Sequence, residues 1–465
     1  MSALFQLRRE ILTEALISLS GLQAYAISRK EAKRPRSKPT STPIAKPVTP
    51  EDFRPLEHQC FQNPYAFYKV LRDSHPLYQL ENGIYCVSRY EDIVAVSRDV
   101  ETYSSTHQGV IAGLKKGQDL LAQIKQFDTL SALGIIPADV LATSDQPSHT
   151  SERKVGHGML NARFVKKMEE EVDVLCSQML DEFLDRGQVE FMAEFGWKLP
   201  MLLIVRLLGL PEADFPKIKQ WCVHGINSQS GITSSAELIR DRSETLKFLR
   251  YCWRKYNAAK KNPQQNFIGM LVAAAADPDT DFDDKRAVST IFQLLIAGSD
   301  SSATSMGNAL KMLIENPDIQ QQIRADLDLL PAFIEEVFRM ESAFQGHFRW
   351  VKKDTELHGV TLEKGSRVFL MWASGNRDDR VFPNPDAIDL NRANGKKHLT
   401  FGHGIHACLG RELARIEIRI VLQQFLEKTE NLEIVGDSPF IASMFARTLV
   451  QLPIRFDKRV ARNDQ

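Results

Sequence analysis

A ten-residue string, Phe401-Gly402-His403-Gly404-Ile405-His406-Ala407-Cys408-Leu409-Gly410, closes a glycine-punctuated loop on a single cysteine, directly before the helical run Arg411 to Lys428. The first turn of a helix carries backbone N–H groups without intrahelical partners and the positive end of the dipole, so a sulfur placed there is favoured as an anion. Gly402, Gly404 and Gly410 let the backbone turn tightly and lie close to a flat surface. Phe401 is positioned to cover the sulfur and keep water away.

A thiolate in this setting is what a haem iron needs as an axial ligand. Two other readings compete with it. A free cysteine is most often a small buried hydrophobe, and His403, His406 and Cys408 could belong to a zinc site. Zinc takes three or four convergent ligands, usually in two spaced clusters. No second cluster is visible, since His149, His157, His347 and His358 are scattered. The loop favours the haem thiolate over both.

The string FGHGIHACLGRELAR resembles the cysteine-ligand loop of the cytochrome P450 superfamily, F-G-x-G-x-H/R-x-C-x-G, in its soluble bacterial form. Three further elements follow in the family's order, and the resemblance covers about residues 49 to 458. It implies a mainly α fold with small β-sheets, haem b (iron protoporphyrin IX) as cofactor, and Cys408 as the axial ligand of its iron, with Phe401 and Gly402 against the cofactor.

The first element is Glu336-Val337-Phe338-Arg339, an E-x-x-R within Pro331 to Ala343. At i and i+3 the two charges face the same way and can pair. The resemblance implies a buried, structural network of Glu336, Arg339 and Arg392. The second is the segment Asp284 to Asn316, whose Val288, Ile291, Phe292, Leu295 and Ile296 recur at helical spacing. Its middle reads Ala297-Gly298-Ser299-Asp300-Ser301-Ser302, and Asp and Ser are poor residues for a helix interior. The resemblance makes this the helix crossing over the haem. Ala297 and Gly298 would leave room for dioxygen, Asp300 would relay protons, and Ser301 would keep oxygen activation coupled to substrate oxidation. The family's usual alcohol is threonine, and serine lacks the methyl that helps fix the rotamer. The third element is a set of cations implied to hold the haem propionates: His149 and Arg153, one helical turn apart, with Arg349 and His406.

Periodicity predicts helices at 165–186, 200–209, 235–260, 284–316, 331–343 and 409–428, and short strands at 76–80, 84–88, 358–362, 367–371 and 445–456. The chain divides into an N-terminal extension with a basic, proline-rich linker (1–48) and a haem domain (49–465). Ile11 to Ile27 is broken by Glu14, Ser18, Ser20 and Gln23, and is shorter than the ~20 apolar residues of a spanning helix. The extension reads as dispensable in a soluble protein, with peripheral membrane contact as the second reading. Zero net charge gives no pull towards nucleic acid. Six sparse cysteines fit a reducing, cytoplasmic setting without disulfides.

The resemblance implies monooxygenation of a small lipophilic substrate by O2. Electrons would come from NAD(P)H through a reductase and a ferredoxin or flavodoxin, because the chain has no flavin extension and no iron–sulfur cysteine cluster. Lys396, Lys397, Arg411, Arg415 and Arg419 surround the ligand loop and suggest a basic docking face. Pocket walls are implied at about 104–136, 205–235, the region before Ser299, Phe344 to Phe348 and Phe440 to Phe445. A haem-thiolate peroxygenase or isomerase, and a non-enzymatic haem-binding sensor, are the alternatives.

Overall fold

The computed structural model describes residues 8–20, 23, 47–106, 139, 141–227 and 235–459. The basic linker and most of the 104–136 wall lie outside them. The frame is helical: α1 (8–20), α2 (Ser148–Met159), α3 (Ala162–Asp181), α4 (Lys198–Leu208), α5 (Phe215–Asn227), α6 (Ser235–Lys261), α7 (Asp284–Glu315), α8 (Leu330–Met340) and α9 (Arg411–Lys428), with shorter helices between. Each periodic run becomes a helix, with ends set by local chemistry. The Asn161 side chain accepts from Phe164 N, which starts α3 three residues earlier than periodicity suggests. Asp283 caps α7 in the same way through Arg286 N. Gly209, at φ +68°, ends α4 in the left-handed conformation.

Among the described residues ten short strands form three sheets. β1 (Leu77–Gln79), β2 (Tyr85–Val87), β3 (Tyr103–Ser104), β5 (His347–Val351) and β8 (Arg367–Leu370) make the largest, in the order β1-β2-β8-β5-β3, parallel only between β2 and β8. β4 (Gln188–Glu190), β9 (Thr429–Ile434) and β10 (Pro453–Lys458) form the second, and β6 (Thr355–Leu357) pairs with β7 (Val360–Leu362). The strand expected across 445–456 exists only at its end. Over 445–452 the chain makes two isolated bridges, Phe344 to Ala446 and Phe440 to Leu449, because the Ser443 hydroxyl takes the N–H groups of Phe445 and Ala446 that a ladder would need.

Helix α7 runs between two apolar clusters. Its C-terminal half packs with α3, α8 and α9, and its N-terminal half with α4, α5 and α6. Between Ala303 and Leu310 every residue is buried, so the polar middle of α7 lies where the two clusters part. Helix α1 is docked rather than free. Arg9, 4% exposed, lies 4.0 Å over the Trp253 ring of α6, Glu14 pairs with Arg250, and Thr13 is buried. Ile11, Leu12 and Leu19 face outward. Among the described residues no helix is long and apolar enough to cross a membrane.

Candidate active site

The cysteine loop is shaped by two left-handed glycines, Gly402 (φ +70°) and Gly404 (φ +73°). A Cβ at Gly404 would stand 2.7 Å from the Ser97 carbonyl oxygen, so glycine is required there twice over. Gly410 is different: its φ of −86° suits any residue and its Cα faces open space, so its part is to N-cap α9. Cys408 N donates to Phe401 O at 2.7 Å, closing the loop. The Phe401 ring is held by Phe338 (4.7 Å), His398 (5.5 Å) and the Arg415 guanidinium (5.0 Å).

Cys408 alone among the six cysteines is exposed. Yet burial pushes its thiol up, against the Gly410 N–H and the Arg153, Arg411 and Arg415 charges that pull it down. A sulfur that is reachable and desolvated at once lines an internal cleft. A cation bound there would complete the ionisation, since a metal deprotonates a ligating thiol outright.

Two charge networks brace this loop. Arg339, fully buried, bonds both Glu336 oxygens (2.7 and 2.8 Å) and the carbonyls of Asn376, Pro385 and Ala387. Arg392 adds a 2.9 Å bond to Glu336. Glu336, Arg339 and Arg392 are thus brought together. The second network was not foreseen: Glu335 takes Arg415 (2.7 Å) and His398 (3.1 Å). Burial would raise the Glu335 carboxyl, but these partners outweigh it and hold it down to about 2.

The four expected cations cluster on the other side of the loop. His149 and His406 meet ring to ring at 4.7 Å. Arg349 has one acceptor, its neighbour Phe348 O, at 2.7 Å. Burial lowers Arg349 to about 10, opposed by Asp145, and burial followed by Arg349 and His149 lowers His406 to about 3. Among the described residues the buried Nε2 of His149 has no hydrogen-bond partner. Arg153 Nη1 holds the loop carbonyls of Ala407 (2.6 Å) and Ile405 (3.4 Å), and its Nε donates to His157 Nε2 at 3.2 Å. No carboxylate lies within ion-pair distance of Arg349 or Arg153 among the described residues. The positive charge here is that of Arg349 and Arg153, and the two imidazoles, lowered by burial, add ring N–H donors, a combination that fits a group carrying carboxylates beside a thiolate-bound metal. The zinc reading finds no support, since no three or more His, Cys, Asp or Glu converge among the described residues.

On α7, Ala297 is exposed and Ser301, one turn later, is half-buried, so the two share the face that opens onto the cleft. Ser301 Oγ donates to Ala297 O at 2.7 Å. Asp300 points the other way, 2% exposed with Oδ2 unpaired among the described residues, and burial raises it to about 7. Gly298 has a packing reason that the sequence did not show: a Cβ there would lie 2.7 Å from Ile204 Cδ1 on α4. Two further groups escaped the sequence reading. Glu417 on α9 is buried beside Ser302 and raised by burial to about 7. His347 sits among Phe344, Phe445 and Trp372. Neither belongs to a recognisable string.

The basic face is partly neutralised. Arg415 pairs with Glu335 and Glu412, and Arg419 with Glu169. Lys396 and Lys397 are exposed, and Arg411 lies 3.5 Å from Glu412.

Comparison with known proteins gives a consistent picture. The family model "Cytochrome P450" matches residues 139–439. Cytochrome P450 144 of Mycobacterium tuberculosis is 31% identical over 394 residues, 84% of this chain and 89% of the relative. Cyclomarin C epoxidase of Salinispora arenicola is 30% identical over 81% of this chain and 93% of its own. Among solved structures, P450BioI in complex with acyl carrier protein ligated to hexadec-9Z-enoic acid superposes with a TM-score of 0.77 at 26% identity, covering 86% of this chain and 99% of that one.

Proposed function

The chain belongs to the cytochrome P450 family of haem-thiolate monooxygenases, and on that premise we propose that Cys408 holds the iron of haem b while α7 supplies the protons for oxidation of a lipophilic substrate. Bound through a thiolate, haem activates dioxygen so that one atom enters the substrate and the other leaves as water. Arg349, His149 and His406 hold the carboxylates of the cofactor. Arg153 holds the loop by its carbonyls and adds positive charge near the sulfur.

Ser301 donates to Ala297 O, which leaves its oxygen lone pairs available to accept a hydrogen bond on the side facing the cleft. Asp300, raised to about 7, is divided between its two protonation states near neutrality. That is the condition for a relay which must take up and release a proton in each turnover. Its burial means that it delivers by side-chain rotation or through ordered water rather than by direct contact with the cleft.

Lipophilicity of the substrate is supported by the aromatic wall of Phe344 and Phe445, in contact at 4.7 Å, and by the fatty-acyl ligand of the P450BioI complex. Lys396, Lys397 and Arg411 are the cations left to dock an acidic ferredoxin or flavodoxin fed by an NAD(P)H reductase. Six unpaired cysteines support a reducing, cytoplasmic setting.

The observation that carries the reading is the single exposed cysteine at a helix N-terminus beside a buried cationic cluster. The reduced carbonyl complex should show the absorption band diagnostic of thiolate ligation, and Cys408→Ala should abolish it. A band that survives the substitution refutes the assignment. Ser301→Ala should bind substrate and take up electrons while sending more of the NAD(P)H consumed to hydrogen peroxide. Coupling equal to the parent's would make the serine a packing residue.

A further inference from the structure

Residues of a strand alternate faces, so His347 and Arg349 on β5 point the same way, about 7 Å apart along the chain. Arg349 belongs to the cationic cluster, and His347 lies one step nearer the aromatic wall. Its ring meets Phe344 at 5.5 Å and Phe445 at 5.2 Å, both edge-on. The indole N–H of Trp372, 1% exposed, donates to His347 Nδ1 at 2.7 Å. An indole nitrogen can only donate, so Nδ1 must be the unprotonated nitrogen and a neutral ring carries its proton on Nε2. The ring is neutral: burial, then Arg349, hold it down to about 3. His347 is half-buried, and its Nε2 makes no hydrogen bond to a described residue.

The arrangement is therefore a donor of fixed direction, set by a buried indole, in a wall that is otherwise aromatic. We infer that His347 is a substrate-binding residue whose Nε2–H donates to a carbonyl or carboxylate oxygen of a lipophilic substrate, the hydrocarbon part of which lies against Phe344 and Phe445. This rests on the haem-thiolate reading above and adds the substrate class. A hydrocarbon without an acceptor would leave the donor unpaired in a desolvated site, which is how a polar group in an apolar pocket discriminates. A haem carboxylate offers the same oxygen chemistry, but Arg349, His149 and His406 already face that side.

The test titrates the ferric holoprotein with two matched pairs, dodecanoic acid against dodecane and 4-phenylcyclohexanone against phenylcyclohexane, and reads affinity from the difference spectrum. The parent should bind the oxygen-bearing member roughly 10-fold more tightly, the scale of one hydrogen bond in a desolvated site. In the double variant His347→Leu/Trp372→Phe, which leaves no indole N–H stranded, the ratio should fall to about one. Trp372→Phe alone, which frees the tautomer but keeps the imidazole, should fall between. His347→Phe keeps the ring volume and gives a second reading should the double variant fold poorly.

An unchanged ratio in the variants, or no preference in the parent, including no shift with any of the four compounds, overturns the proposal. So does faster haem transfer to apomyoglobin at an unchanged ratio, which would assign His347 to a haem carboxylate. The reduced carbonyl band, read on every variant, separates failure of this inference from failure of the haem-thiolate reading.

Discussion

Arg339→Lys is the substitution whose cost can be worked out most directly. A guanidinium has five N–H donors in a fixed fork. In this chain all five are used: Nε and one Nη2 proton on Glu336, the second Nη2 proton on Ala387 O, and the two Nη1 protons on Asn376 O and Pro385 O. Lysine keeps the charge that Glu336 requires but brings three donors on one nitrogen; Glu336 keeps bonds from Arg392 and from Asp389 N, and Ala387 O keeps one from Arg392, so among the described residues the acceptors that depend on Arg339 are Asn376 O and Pro385 O. At about 1–3 kcal/mol for a stranded buried acceptor, a lysine that cannot reach both of these carbonyls should lose about 1–3 kcal/mol. Arg339→Ala removes the charge as well. Breaking a buried pair adds about 3–5 kcal/mol, before any cost of the cavity.

Set against total stabilities of about 5–15 kcal/mol, the lysine variant should fold with reduced stability and the alanine variant should fail to take up haem. The three carbonyls lie in the segment leading into the cysteine loop, so the haem signal should weaken together with the fold. Urea unfolding followed by tryptophan fluorescence and haem absorbance measures both. A lysine variant within about 0.5 kcal/mol of the parent, a typical effect of a surface substitution, or a stable alanine holoprotein, would show that the network does not hold the loop.

Gly404→Ala forces an L side chain into φ +73° against the Ser97 carbonyl and should cost at least about 1–2 kcal/mol, read as lower haem occupancy, whereas Gly410→Ala should be nearly silent. Glu335, held down to about 2, contributes stability that is complete above its unfolded value near 4.3 and is lost as pH falls towards 2. Glu335→Gln should therefore flatten the loss of stability between pH 4.5 and 3, and an unchanged slope would contradict the ion-pair reading. Removal of residues 1–20 should expose Trp253, lower the melting temperature and leave the thiolate band intact, because Arg9 and Glu14 are spent on α6. Identical melting would restore the view of the extension as dispensable.

What could be read along the chain was whatever depends on near neighbours in sequence. The periods of α3, α7 and α9, the i and i+3 pairing of Glu336 with Arg339, and the helix-terminal cysteine with its left-handed glycines all follow from residues a turn or two apart. Departures arise where a distant partner decides. The carboxylate of Glu335 becomes a strong acid only because Arg415, 80 residues on, folds back onto it. A Cβ at Gly298 would press on Ile204, which crosses it, and the chain over 445–452 leaves the ladder because Ser443 takes its N–H groups. The N-terminal segment reads as dispensable along the chain because nothing near it in sequence shows that Trp253 lies under Arg9. His347 was one scattered histidine among several until Trp372 fixed its tautomer and Phe344 and Phe445 gave it a wall. Sequence pattern records the backbone hydrogen bonds and apolar faces that a segment forms with itself, whereas the direction of a buried donor or the acidity of a buried carboxyl depends on which groups the fold brings within a few ångströms, and only the tertiary structure determines that.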